Sequence, residues 1–271
     1  RIHTPRGKVL GGSSSINGLV YVRGNPQDFD RWEAEGAAGW GYSNVLPYFR
    51  RAEMRAGGGD DYRGDQGKLQ TCYGTVANPL HAAWLAAGRE AGYPQTADMN
   101  GFQQEGFGRM DMTVGAGIRS STANAYLHPA MQRRNLAVRT HALATSIQFE
   151  GRRTTGLRYL RGGEQHEVHV RREVLVCGGP INSPQLLKLS GLGPAAELRE
   201  HGIAVTRDMP GVGENLQDHL EFYFQVACKE PITLYSSMSP WSKALIGARW
   251  LLFKDGLGAT NHFETGGFIR S

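Results

Sequence analysis

GKVLGGSSSINGLVYVRGNPQDFD, residues 7–30, opens on the apolar pair Val9-Leu10 and turns on Gly11-Gly12. Three serines follow, Ser13-Ser14-Ser15, then Ile16-Asn17-Gly18 and the apolar run Leu19-Val20-Tyr21-Val22. Two adjacent glycines let the backbone approach a ligand with no Cβ in the way. Serine hydroxyls and successive backbone amides suit phosphate oxygens. Asn17 offers an acceptor and donors to the polar edge of a planar ring. The β-branched and aromatic run then carries the chain away in extended form. A plain glycine- and serine-rich loop is the alternative reading of the same letters.

Outward from this stretch, Asn25-Pro26 predicts a helix start, with Asn as cap, Pro in the first turn and Asp28 behind it. Phe29 and Trp32 form its apolar stripe, and Gly36 and Gly39 end it. Ser43 is the expected cap of a second helix, with Val45, Leu46, Tyr48 and Phe49 mostly inward. Residues 55–67, rich in Gly, Asp and Arg, read as a surface loop. Asn78-Pro79 repeats the capping pattern before a helix over roughly 80–91, with Leu80, Trp84 and Ala87 on one face. Residues 100–112 read as loop, anchored by Phe102 and Phe107. Arg119 meets a carboxylate or phosphate, or caps a helix; both readings stay open.

From Leu136 to Val176 the period changes to two. Strands are expected at 136–140, 146–149, 155–160 and 166–170, with His166 and His169 sharing one exposed face. No third ligand lies near that pair, which argues against a metal there. Val174–Cys177 is continuously apolar, as a strand buried on both faces should be. Gly178-Gly179 turns it, and Ser183-Pro184 starts a helix that closes near Gly191. Strand, turn and helix N-terminus together favour an anion, or make an ordinary βα unit. A helix at 194–202, strands at 205–209 and 221–226, a loop at 231–240 and a helix at 243–253 complete the expectation.

A chain of 271 residues can bury a sizeable core, as one large domain or two smaller ones. Apolar residues make 40% and charged residues 20%, a globular composition. The formal charge of +5 comes without a long basic run, so a nucleic-acid partner is disfavoured. A non-catalytic basic binding module is the reading that charge alone would suggest. Cys72, Cys177 and Cys228 lie far apart with no CxxC, against both a zinc site and a disulfide framework. A reducing, cytoplasmic location is the simplest home. No apolar run is long enough to span a bilayer. The chain opens without Met, almost inside a ligand-binding stretch, and stops at Gly267–Ser271 with no termination signal. It is expected to be an internal fragment of a longer protein.

Residues 7–30 resemble, position by position, the first signature of the glucose–methanol–choline (GMC) family of flavin oxidoreductases. GPINSPQLLKLSGLG, residues 179–193, resembles the second, and PGVGENLQDH, residues 210–219, is also similar to the family. Within the family the match is closest to choline-oxidising members. It is carried by Arg23-Gly24-Asn25 and residues 101–108, 139–142, 211–219 and 261–264. The resemblance implies an α/β chain (α+β overall): an incomplete Rossmann-like FAD domain and a substrate domain of antiparallel sheet plus helices. It divides the chain at 1–30 and 113–218 for the FAD domain, 31–112 for a helical and loop segment contributing to the substrate domain and FAD cover, and 219–271 for the start of the substrate domain, truncated.

The same resemblance implies that Val9, Gly11, Gly12, Ser13, Asn17, Gly18, Leu19 and Val20 lie around the FAD pyrophosphate and flavin ring. Ala144, valine in many relatives, would meet adenine through its backbone. Ile16 stands where some relatives carry a flavin-linking histidine, so the FAD is expected to be non-covalent. Glu264, beside Phe263, would face a trimethylammonium group, a cation that favours carboxylates and aromatic faces. The alternative is an acid paired with an arginine at a strand edge. The implied reaction is oxidation of a primary alcohol, choline or another aliphatic or aromatic one, by hydride transfer to flavin N5. The family's N-terminal GxGxxG unit and C-terminal histidine are absent from this sequence. No catalytic residue is therefore expected here, His219 reads as structural, and the isolated fragment is expected to be inactive. Implied partners are a small alcohol and an electron acceptor the sequence does not identify, with peripheral inner-membrane association of the parent protein left open.

Overall fold

The computed structural model describes residues 3–270. The chain is mixed α/β. In order it runs β1 (Val20–Tyr21), α1 (Pro26–Ala34), α2 (Tyr42–Ala52), β2 (Glu53–Arg55), β3 (Leu69–Tyr73), α3 (Pro79–Glu90), β4 (Gly106–Arg109), β5 (Asp111–Met112), β6 (Val114–Gly115) and β7 (Ile118–Arg119). A π-helical turn, Ala123–Leu127, leads into α4 (His128–Ala130). Then follow β8 (Leu143–Glu150), β9 (Arg153–Arg161), β10 (Glu164–His169), α5 (Gly179–Leu189), β11 (Leu192–Gly193), α6 (Ala195–Glu200), β12 (Arg207–Asp208), α7 (Pro240–Phe253) and β13 (Thr265–Phe268). Two compact units emerge: residues 1–136 with 226–271, and residues 137–225.

In the first unit, β1-β5-β3-β2 form a sheet, antiparallel except for the β2–β3 pair, and β13 pairs antiparallel with β4. Helix starts follow local chemistry. Asn25 and Asn78 accept from the backbone N–H of Gln27 and Leu80, each at 2.9 Å, with a proline in the first turn. Helix α2 departs from the Ser43 expectation. Its cap is Gly41, two residues earlier, and Asp30 of α1 accepts from its Tyr42 N–H at 2.8 Å. On that helix Tyr48 is exposed, while Val45, Leu46 and Phe49 are half-buried.

The largest departure is at residues 55–67. That polar stretch contains Arg63, which is fully buried with Glu53 at the centre of this unit. Arg63 Nη2 donates to Glu53 Oε1 (2.6 Å), and its Nη1 donates to Asp98 Oδ1 (2.6 Å) and Asp111 Oδ2 (3.0 Å). Arg23 Nη2 reaches Glu53 Oε2 at 2.7 Å. Burial pushes the Glu53 carboxyl up, but hydrogen bonds from Arg63 and Thr71 and the two guanidinium charges bring it net below the usual range. Asp111 goes the other way: burial and the neighbouring Asp98 raise it despite Arg63. Residues 100–112 are likewise not loop throughout, since β4 and β5 lie there; Phe107 is buried, whereas Phe102 is 86% exposed. On α3, Leu80, Trp84 and Ala87 are exposed, and Gly88 is the buried residue, against Phe107.

In the second unit β10-β9-β8 form an antiparallel sheet, and β11 pairs in parallel with β12. The Ser190 hydroxyl accepts from Ile147 N–H (2.8 Å), and Leu198 of α6 is 1% exposed. Residues 136–140 are not a strand. His166 and His169 lie three apart on β10, so they face opposite ways; His166 stacks on Tyr159 at 5.1 Å and His169 is exposed. Val174–Cys177 forms no strand, and Leu175 is 75% exposed. A strand buried on both faces needs neighbours on either side, and among the described residues none pairs with it. Helix α5 starts at Gly179, with Pro180 in its first turn and Pro184 inside it. Residues 221–226 also pair with no strand.

Candidate functional site

The Gly11-Gly12 turn is built by its own residues. Gly12 N–H donates to Val9 O (2.9 Å), and Gly12–Ser15 wind into one 3-10 turn. Gly11 sits at φ +86°, and a Cβ there would lie 2.5 Å from Ser15 Oγ and 3.1 Å from Ala123 Cβ, so glycine is required twice over. Ser14 and Thr122 clamp the turn: Thr122 N–H donates to Ser14 Oγ (2.9 Å), and both hydroxyls donate to Gly11 O. Arg119 reaches this stretch from β7. Its Nη1 donates to the carbonyl oxygens of Ser14 (3.2 Å) and Asn17 (2.8 Å) and to Asn17 Oδ1 (2.8 Å), so it braces this stretch.

Those bonds occupy the inner side. Val9, Ser13, Asn17, Gly18 and Val20 are exposed, Leu19 is half-buried with φ +63°, and a Cβ on Gly12 would meet nothing within 4 Å. The outer side is thus a small-residue surface with a hydroxyl and an amide, which fits the phosphates and ring edge the resemblance implies. Ile16 has no nucleophilic atom to bond a flavin. Ala144 lies in the other unit, on β8, beside a register shift between Ala144 and Ser146. A bulge of this kind takes backbone groups out of the ladder.

Glu264 is 4% exposed. Its carboxylate accepts from Val76 N–H and from the Thr260 hydroxyl. A Cβ on Gly74 would lie 2.4 Å from its Cδ, so glycine there makes room for the acid. His81 Nε2 stands 3.9 Å from Glu264 Oε2, and His81 Nδ1 is 2.9 Å from Thr265 Oγ1. Glu264, His81 and Arg249 help to line a cavity of about 580 Å³ with Leu80, Leu234 and Ile246. Arg249 is held by Asp255 (2.6 Å), not by Glu264. Phe263 does not line the cavity; its ring approaches Gly18, with Cε2 4.0 Å from the position of a Cβ there.

The two predicted sites are joined by Asn261, whose Nδ2 donates to Gly18 O at 3.0 Å, three residues before Glu264. Sequence reasoning quoted Asn261 only as part of a resemblance and did not single out His81 or Thr122. The signal for Thr122 was its place in a Ser-Ser-Thr run beside Arg119. His81 carried none, since an imidazole in the first turn of a helix has many uses.

Residues 1–221 match the family model described as GMC oxidoreductase. The chain is 57% identical over 272 residues to the oxygen-dependent choline dehydrogenase of Photobacterium profundum, covering 100% of this chain and 48% of that protein. It is 53% identical over 270 residues to the mitochondrial choline dehydrogenase of Homo sapiens, covering 100% and 46%. Among solved structures, an FAD-dependent oxidoreductase from Chaetomium thermophilum superposes with a TM-score of 0.84 at 29% identity, over 96% of this chain and 48% of that one. The chain therefore spans about half the length of the curated relatives it matches. With the family model matching most of its length, and with the Gly11 turn built as described, the chain belongs to the GMC oxidoreductase family.

Proposed function

We propose that this chain is part of an FAD-dependent alcohol dehydrogenase whose substrate is choline. The observation that carries the reading is the Asn261–Gly18 hydrogen bond, which links the small-residue loop to the segment before β13 that bears Glu264. The 57% and 53% identities to choline dehydrogenases support the substrate. The segments 1–30 and 113–218 as FAD domain, and the rest as cover and substrate domain, belong to the same reading.

In it, the Gly11-Gly12 turn and Ser13 hold phosphate oxygens, and Asn17 to Val20 border the ring. Ala144 offers its backbone to adenine. FAD, bound without a covalent link, supplies the hydride acceptor. Glu264, fixed by Val76 and Thr260, attracts the trimethylammonium and so orients the alcohol carbon; positioning of this kind lowers the barrier by removing motional freedom. No residue of this chain is assigned the hydroxyl proton. The electron acceptor of the complete protein, oxygen or a respiratory chain, is not assigned to any residue of this chain. Among the described residues no helix is long and apolar enough to cross a membrane.

The test uses the complete flavoenzyme carrying this sequence, kept anaerobic. Choline should bleach the flavin absorbance quickly, and a neutral primary alcohol of similar size slowly. Glu264→Gln should abolish that preference. Bleaching by the neutral alcohol alone would discard choline and leave Glu264 as a structural acid.

A further inference from the structure

Among the described residues, those lining the cavity beside Glu264 include an acid but no Phe, Tyr or Trp. A quaternary ammonium cannot donate a hydrogen bond, so its recognition rests on charge and on aromatic faces. Phe263, the aromatic neighbour in sequence, turns toward Gly18 instead. Among the described residues the rings lining this cavity are imidazoles, those of His81 and His262.

His81 is the better placed of the two. It sits in the first turn of α3, its side chain is 19% exposed, and both ring nitrogens face polar partners. Nδ1 meets Thr265 Oγ1 at 2.9 Å, and Nε2 faces Glu264 Oε2 at 3.9 Å, too far for a direct hydrogen bond but close enough for the charge to be felt. With its two nitrogen edges turned to Thr265 and Glu264, what the ring has left for the cavity is its carbon edge and π surface. The rest of the lining is aliphatic or polar, including Leu80, Leu234 and Ile246, apart from the Arg249 guanidinium, whose charge is paired with Asp255 at 2.6 Å.

We propose that His81 is a specificity-determining residue: its imidazole, held by Thr265, is the aromatic wall of the cation pocket whose acid is Glu264. The proposal rests on the reading of Glu264 as the cation-binding acid. It makes selection for a quaternary ammonium a joint property of the loop before β13 and the start of α3.

The experiment compares choline with its uncharged isostere 3,3-dimethylbutan-1-ol in the complete flavoenzyme. His81→Leu should lower kcat/KM for choline about 3- to 10-fold, the range a cation–π contact supplies. The loss should fall in KM, with kcat at saturating choline and kcat/KM for the isostere unchanged. His81→Phe, which keeps an aromatic face and removes both nitrogens, should stay within about twofold of the parent enzyme. Flavin content and melting temperature report whether each variant folds. Equal losses for choline and isostere, or no loss in His81→Leu, would overturn the proposal, as would a His81→Phe enzyme as impaired as His81→Leu. Glu264→Gln separates the two claims. If it leaves the choline preference intact, the acid assignment itself fails and the wall falls with it; if it removes the preference while His81→Leu does not, only the wall is wrong.

Discussion

At the scale of single residues, the buried cluster around Arg63 ties three acids to one guanidinium. Arg63 faces Glu53, Asp98 and Asp111 within 3.0 Å and is fully buried. Removing it leaves carboxylates without their counter-charge, so Arg63→Leu should cost about 3–5 kcal/mol, read from the urea midpoint. The acids respond to pH with opposite signs. Glu53 is held below the usual carboxylate range, so its contribution is present above the unfolded-state pKa and is lost as pH falls through the lower folded one. Asp111 is raised, so ionising it in the folded state weighs against stability as pH rises through its folded pKa. Asp111 Oδ1 also lacks a hydrogen-bond partner among the described residues. Glu53→Gln should therefore lower the midpoint at neutral pH and flatten its fall at acid pH. Asp111→Asn should cost distinctly less at neutral pH. An Asp111→Asn loss equal to that of Glu53→Gln would show that the two acids are not split in this way.

At the scale of elements, packing outvotes propensity where α3 meets β4. Alanine is a better helix former than glycine by about 1 kcal/mol, so Gly88→Ala would help an isolated helix. Here a Cβ on Gly88 would lie 2.5 Å from Phe107 Cγ and Cδ1. The ring is itself stacked on Tyr93 at 5.6 Å and sits 5.4 Å from Trp84, so it has little room to yield. Gly88→Ala should destabilise by about 1–2 kcal/mol net, measured by thermal melting, and a rise in melting temperature would refute the packing argument. The same contest explains what the sequence made legible. Helix starts at Asn25, Asn78 and the hairpin of β8, β9 and β10 depend on neighbours a few residues away, and the letters showed them. Arg63 did not look buried because its partners, Glu53, Asp98 and Asp111, come from three separate stretches. Val174–Cys177 looked like an inner strand because its composition suits one, yet a strand exists only with partners, and none is present among the described residues. At the candidate site the glycine turn was readable from its own letters. The His81–Glu264 approach joins residues 183 positions apart and left no local trace.

At the scale of the whole molecule, the chain carries an apolar stretch that it does not bury. Leu220, Phe222, Tyr223, Phe224 and Val226 are between 69% and 92% exposed. Phe222 and Phe224 meet each other edge-on at 5.3 Å, and the stretch pairs with no strand among the described residues. Contiguous exposed apolar surface of this kind, with free backbone groups along it, is a template for association. The 271-residue chain expressed alone should therefore scatter light and bind a hydrophobic dye as its concentration rises. Changing Phe222 and Phe224 together to Lys should lower both signals several-fold while leaving far-UV circular dichroism unchanged, because the change removes apolar exposure and breaks the contact between these two exposed rings without touching a helix or a strand. Loss of helical signal in the double variant would mean that these rings support folded structure. Unchanged scattering with intact structure would place the association elsewhere, for which the exposed face of α7, with Trp241, Leu245 and Leu252 at 83%, 70% and 75% exposure, is the next surface to change.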